Sequence, residues 1–270
     1  MKKSIVSIIV AKSKRLFFCL LAITLLSVDA LAVPIDLGTA SSFGILAGSA
    51  VTNTGNTSIN GDLGLWPNNA SSITGFPPGF YTGALHAGDG VAQQAQVDAL
   101  AAYNSLTGMT FTQDLTGQDL GGLTLTAGVY RFSSSAQLTG GLTLDAQNNP
   151  DAIFIFQIGS TLTTGTNSAV MMINAPANFS NQYWQIGSSA TLGTDTAFLG
   201  NILAFQSITL NGGSLYGRAI ALNGAVTISA NETIIVPEPA TIAMLLMGAG
   251  VLSGRLRKHH QKLWVKKAVI

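Results

Sequence analysis

The chain has 270 residues, with 13 Lys+Arg against 12 Asp+Glu and 47% hydrophobic residues. The near-neutral balance hides a segregation: five cations fall within 1–15 and six beyond 254, while the stretch 33–236 holds ten acids, Arg131, Arg218 and no lysine. A body this poor in cations cannot neutralise phosphates, which excludes nucleic-acid binding, and a single cysteine, Cys19, excludes a disulfide scaffold.

Residues 1–32 open on the basic MKKSIVSIIVAKSKR, continue through the apolar LFFCLLAITLL and close at DALA. Ala30 and Ala32 occupy the small-residue positions that signal peptidase reads, and the apolar run is too short for a spanning helix, so a cleaved export signal is expected. Cys19 lies inside it, which leaves no thiol in the exported body, 33–236. Further on, DGVAQQAQVDALAAYNSLTG (89–108) carries Ala92, Ala95, Ala99, Ala102 and Leu106 on one helical stripe. A helix over about 89–107 is expected, with Asp89 as N-cap and Gly108 at its end, packed by its narrow alanine stripe against a flank of the fold.

The middle of the chain repeats. GGLTLTAG at 121–128 returns as GGLTLDAQ at 140–147, and a Thr-Leu dipeptide recurs at 124, 143, 161, 191 and 209, with Thr227-Ile228 as a sixth copy. The intervals are 19, 18, 30, 18 and 18 residues, the mark of a stacked architecture with one coil enlarged around NAPANFSNQYWQ. Thr, Val, Ile, Leu and Phe broken by Gly and Asn favour short strands, and about 60 Å of extended chain per 18 residues suffices for three of them around a triangle. The expected fold is mainly β, a β-solenoid.

Alternation along a strand then assigns the side chains. With Leu125, Leu144, Leu162, Leu192, Leu210 and Ile228 inward, Thr124, Thr143, Thr161, Thr191, Thr209 and Thr227 form an outward column. A second column would hold Thr126, Asp145, Thr163, Gly193, Asn211 and Ser229. Registering on the following glycine instead, as in LTTGTN, LNGGS and VTNTGN, slides some copies by one or two positions.

No constellation for catalysis accompanies the repeat. His86 is the only histidine in 33–236, so a catalytic triad or a histidine-based metal site has little to draw on. A polysaccharide-cleaving enzyme would have to rely on acids such as Asp62 or Asp145 without the usual cationic helpers. We therefore expect no enzyme, no catalytic residue, no metal and no cofactor.

The C-terminus, 237–270, reads Pro-Glu-Pro at 237–239, an apolar stretch from Thr241 to Gly254, and a basic tail. It resembles the PEP-CTERM sorting signal, which an exosortase of Gram-negative bacteria recognises and removes; the tail is longer than usual. The resemblance implies export to the medium or cell surface through a Gram-negative envelope, with signal peptidase and an exosortase-type enzyme as processing partners.

The body itself resembles the DUF3494 ice-binding protein family. The residues that carry the likeness are IDLGTASSFGILAGSAVTNTG (35–55), INGDLGLWP (59–67), ITGFPPG (73–79), GLTLTAGVY (122–130), IFIFQIGSTL (153–162), YWQIGSSATLGTDTAFLGNIL (183–203) and LNGGSLYGRAIALNGAVTI (210–228 with its preceding Leu). The family implies a right-handed parallel β-solenoid of triangular section with one long α-helix alongside, and an N-terminal segment that closes the stack beside the last coil. That sets VTNTGNTSI next to VTISANETI and adds Thr54 and Thr57 to the face formed by Thr124, Thr143, Thr161, Thr163, Thr191, Thr209, Asn211, Thr227 and Ser229. The partner implied is the ice crystal surface. The alternative is a surface or matrix adhesin of the same fold held by exopolysaccharide.

Overall fold

The computed structural model describes residues 35–175 and 181–237. The expected leader, 1–32, and the C-terminal segment from 238 onward lie outside the described residues, as does the centre of the expected insertion, 176–180.

Short strands wind in coils, and each coil visits three faces. Strand pairs within the stack are parallel, so every coil satisfies its backbone groups on the coils above and below. The first face contains Gly128–Phe132, Phe154–Ile158 and Gln182–Ile186 in succession, then the second halves of Thr196–Ala204 and Gly213–Ala221, then Phe43–Ala47 and Asp62–Leu65. The second face stacks Ala136–Leu138, Leu162–Thr164, Ala190–Leu192, Ile208–Leu210, Val226–Ile228, Val51–Asn53 and Ile73–Thr74. The third runs from Thr124–Thr126 through Gly141–Asp145 and Ala169–Ile173 to Glu232–Ile235 and Ser58–Asn60.

Two strands of nine residues, Thr196–Ala204 and Gly213–Ala221, cross from the third face to the first without a break. They turn the corner at Gly200 and Gly217, which are register partners with φ of 125° and 150°. A Cβ on Gly217 would sit 2.0 Å from the Gly200 carbonyl oxygen, so only glycine allows the coils this approach.

The stack departs from chain order at one place. Val51 and Thr52 pair with Val226 and Thr227, so the N-terminal coil sits on the last one. The interior is a continuous column of apolar side chains in which Tyr130, Phe156, Trp184 and Phe198 pile up; the Phe156 and Trp184 rings stack at 3.8 Å.

One α-helix, α1 (Gly90–Thr107), covers the first face. Asp89 caps it by accepting the Ala92 N–H at 2.8 Å, and that amide, with His86 behind it, holds the carboxyl below the usual carboxylate range. Ala95, Ala99, Ala102 and Leu106 pack on Leu46, Ile155, Tyr183, Leu203 and Ile220, the outward side chains of that face. The small stripe lets the helix axis approach closely, and those side chains of the first face are thereby removed from solvent.

Candidate functional site

Of the three faces, the second is the one presented bare and uniform. Its strands expose a single central position each, and register brings these together as Gln137, Thr163, Thr191, Thr209, Thr227, Thr52 and Thr74. Neighbouring strands lie about 4.8 Å apart, so six threonines follow one another in a straight file behind Gln137. Beneath them Leu162, Ala190, Ile208, Val226 and Val51 form one buried row and Leu192, Leu210 and Ile228 another, which holds the backbone flat.

The six hydroxyls in the file make no hydrogen bond to the protein among the described residues. Each stands on a β-branched stem with a restricted χ1, half-exposed or exposed, and brings a donor, an acceptor and a methyl to the surface row. The rows on either side are small. Ser135, Thr161, Ser189, Ser207, Ala225 and Ala50 precede the file and are joined strand to strand by the backbone ladder; Thr161 also bonds Ser135 Oγ at 2.9 Å. Asn211, Ser229 and Thr54 follow it. The Asn211 amide and Thr54 hydroxyl turn back onto Leu192 O and Ile228 O, at 2.9 and 3.3 Å, and so lie low at the rim. No charged or aromatic side chain interrupts these three rows.

The single column expected from the Thr-Leu repeat is therefore corrected. Thr191, Thr209 and Thr227 do share a file, but the member from the preceding coil is Thr163, because Leu162 registers with Ala190 rather than with Leu192. Thr161 belongs to the flanking row. Thr124 and Thr143 pair with each other on the third face, where the next partner is Met171. The 18-residue step from 143 to 161 is thus a move between faces, while the third-face step from Thr143 to Met171 spans a second enlarged coil, the one that carries 146–153, in addition to the one expected around NAPANFSNQYWQ. Thr57 is fully buried and donates to Asn53 Oδ1 at 2.7 Å, so it braces a corner instead of meeting solvent.

Three members were not anticipated: Thr52, Thr74 and Gln137. Thr52 was within reach, since matching VTN at 51–53 to VTI at 226–228 selects it in place of Thr54. Thr74 belongs to a strand of two residues, and Gln137 breaks the threonine pattern; neither leaves a periodic signal.

The acids considered for catalysis stand at strand ends and are engaged in structural hydrogen bonds. Asp62 Oδ1 accepts the Ala84 N–H at 2.7 Å, and Asp145 Oδ1 accepts from Gln147 N and Asn174 Nδ2 at 2.8 and 2.9 Å. Among the described residues, no group of three His, Cys, Asp or Glu side chains is placed to hold a metal ion. Arg218 is buried, and its Nε donates to Ser41 O at 2.8 Å, tying the N-terminal segment to the stack.

Residues 45–234 match the family described as Ice-binding-like, and 236–258 match the PEP-CTERM protein-sorting motif. The chain is 52% identical over 243 residues to an ice-binding protein of Nostoc sp. (strain HG1), spanning 84% of this chain and 88% of that one. Among solved structures it is similar to an ice-binding protein from an Antarctic biological consortium, with TM-score 0.72 and 46% identity over 77% of this chain and 94% of that one. An ice-binding protein of the Antarctic ascomycete Antarctomyces psychrotrophicus gives TM-score 0.72 at 39% identity, covering 77% and 100%.

Proposed function

The chain belongs to the Ice-binding-like family, and from that premise we propose that it is an exported ice-binding protein that adsorbs to ice through its threonine file. The observation that carries the reading is the run of six in-register threonines whose hydroxyls have no protein partner. Their methyl groups confine first-layer water, while the hydroxyls offer that water fixed donors and acceptors. Because the strand spacing lies near an oxygen repeat of ice, the ordered layer can merge with the lattice. The stacked core removes most of the entropy loss that a flexible surface would suffer on adsorption. An adsorbed molecule pins the growth front, which bows outward between neighbours and stops. The process needs no bond making, cofactor or metal, and we assign the chain no catalytic role.

Export is supported by the PEP-CTERM protein-sorting motif. We place cleavage by signal peptidase after Ala32 and removal of the segment from 237 by an exosortase-type enzyme in a Gram-negative envelope. The domain would then be the body 33–236.

The test is an ice-recrystallisation and thermal-hysteresis assay on the purified protein. Crystals should stay small and growth should halt below the melting point; crystals that coarsen as in buffer would end the reading. A second reading, retention in exopolysaccharide as a matrix or surface protein, is supported by the sorting motif and is compatible with the first. It expects the protein to co-sediment with the cells' own polysaccharide.

A further inference from the structure

Where the first face meets the threonine face, the strands Gly128–Phe132, Phe154–Ile158 and Gln182–Ile186 run out into Ser133, Gly159 and Gly187. The stack demands both glycines: a Cβ on Gly159 would lie 2.7 Å from Ser133 O, and one on Gly187 2.5 Å from Gly159 O. The corner is left without side chains there and becomes a trough. The last turn of α1 walls its other side through Tyr103 and Thr107, and the space between is an open cleft of about 480 Å³.

The polar groups lining the cleft are only partly used. Gln157 Nε2 donates to Leu106 O and Met109 O at 2.7 and 2.8 Å. This covers helix-end carbonyls that would repel an anion, and it leaves Gln157 Oε1 without a protein partner. Gln185 reaches only the Tyr103 hydroxyl. Arg131 sits with its guanidinium 5.0 Å from the centre of the Phe111 ring, and it makes no hydrogen bond or salt bridge among the described residues. Asp114, beside it in register, turns its Oδ1 back to Thr116 N at 2.9 Å and meets the guanidinium through charge attraction alone, without a hydrogen bond or salt bridge. With Arg218 buried, Arg131 is the one solvent-facing Lys or Arg of the described residues, and it stands in this cleft beside the half-exposed Phe111.

We propose that the cleft binds an acidic saccharide, a uronate-bearing stretch of polysaccharide. The guanidinium presents a planar fork to one carboxylate. Phe111 offers an apolar surface to the C–H face of a sugar ring, and the amides of Gln157 and Gln185 offer acceptor and donor to its hydroxyls. The cleft is open to solvent, which suits a segment of a polymer laid across it more than an enclosed small molecule. The single guanidinium meets one carboxylate, and a saccharide that spaces its charges a ring apart is opposed less by the acidic body than a dense polyphosphate would be. The inference rests on the matrix reading, to which it gives a binding site, and it is independent of the ice face.

The experiment is calorimetric titration of the purified protein with an oligoglucuronate hexamer and with cellohexaose, its uncharged counterpart. The acidic oligomer should bind, and both cellohexaose binding and the Arg131→Met variant's oligoglucuronate binding should be weaker by about tenfold or more, the loss of one charge-assisted contact. Arg131→Lys should fall between, and Phe111→Ala should weaken binding as well. Arg131 is exposed, so its variants should keep the wild-type melting temperature and full ice activity. The proposal is overturned if neither oligomer binds, if the two bind equally, or if Arg131→Met binds oligoglucuronate like the parent. If the protein co-sediments with whole polysaccharide but Arg131→Met does so equally, the cleft fails and the matrix reading stands. If oligoglucuronate binding is lost in Arg131→Met yet the protein is not retained by the cells' polysaccharide, the matrix reading fails and the cleft stands.

Discussion

Thr209→Lys and Thr124→Lys form the sharpest pair of perturbations, because one Thr-Leu repeat treats the two positions as equivalent and the structure separates them. Thr209 is the fourth of seven positions along the file, between Thr191 and Thr227. An extended lysine reaches roughly 4 Å farther than threonine, nearly the strand spacing of about 4.8 Å, and its ammonium holds its water tightly. A flat lattice held off at that height loses Thr209 and both neighbours, leaving one threonine on one side and two on the other. If each lost threonine contributes about 0.5–1.5 kcal/mol net, as a neutral hydrogen bond does, the total is about 1.5–4.5 kcal/mol. That corresponds to a loss of about one to three powers of ten in adsorption. Thr124 is exposed on the third face, so its lysine variant should act like the parent. The assay is thermal hysteresis at matched concentration, with melting temperatures recorded to show that both variants fold. Full activity in Thr209→Lys, or equal losses in the two, would refute the assignment of the face.

Three further outcomes concern stability. Glu232 is buried where the third face begins, with Oε1 unpartnered, and burial pushes its carboxyl up to about 7 from an ordinary 4.5 against the help of the Gly212 amide. A raised carboxyl is protonated in both states below 4.5 and costs stability as pH climbs through 7, so the protein should lose about 3 kcal/mol between pH 5 and 8 at most, and Glu232→Gln should flatten that slope in denaturant titrations. Gly217→Ala forces a Cβ to 2.0 Å from Gly200 O at φ 150°, and it should cost more than about 2 kcal/mol in a chemical melt. Trp184→Ala removes the centre of the aromatic pile and should cost about 3–5 kcal/mol by the same measurement.

Much of the architecture could be read from residues because it rests on local rules. The 18-residue spacing of Thr191, Thr209 and Thr227 survives intact: each step is one coil, and Ala190, Ile208 and Val226 stack beneath. Asp89 and the alanines of α1 declare the helix by capping chemistry and periodicity. The contents of the face were harder to read, for a physical reason. Leu-Thr-Leu alternates inward and outward in the same way on any side of the triangle, so Thr124 and Thr143 carry no mark of belonging to the third face. That mark is stored in the corners, whose lengths differ from coil to coil, as 146–153 shows between the third-face strand Gly141–Asp145 and the first-face strand Phe154–Ile158.

Register, more than composition, decides which threonines share the file proposed to meet ice. Sliding the 161–164 segment by two residues would put Thr161 in the file and leave Thr163 in the next row, with no change in the number of surface threonines. Pairing of Leu162 with Ala190 prevents this, since it keeps Thr164 at the buried position where its hydroxyl meets Thr196 Oγ1 at 2.9 Å and accepts the Gly193 N–H at 2.8 Å. A buried threonine that would lose both partners on slipping holds its exposed neighbour in line, because an unpaired buried hydroxyl costs about 1–3 kcal/mol. Thr164→Val keeps the shape but removes those bonds. Its expected signature is a loss of hysteresis larger than its loss of stability, read from the same two measurements as for Thr209. A variant that is destabilised yet fully active would show that the apolar rows alone keep the file straight.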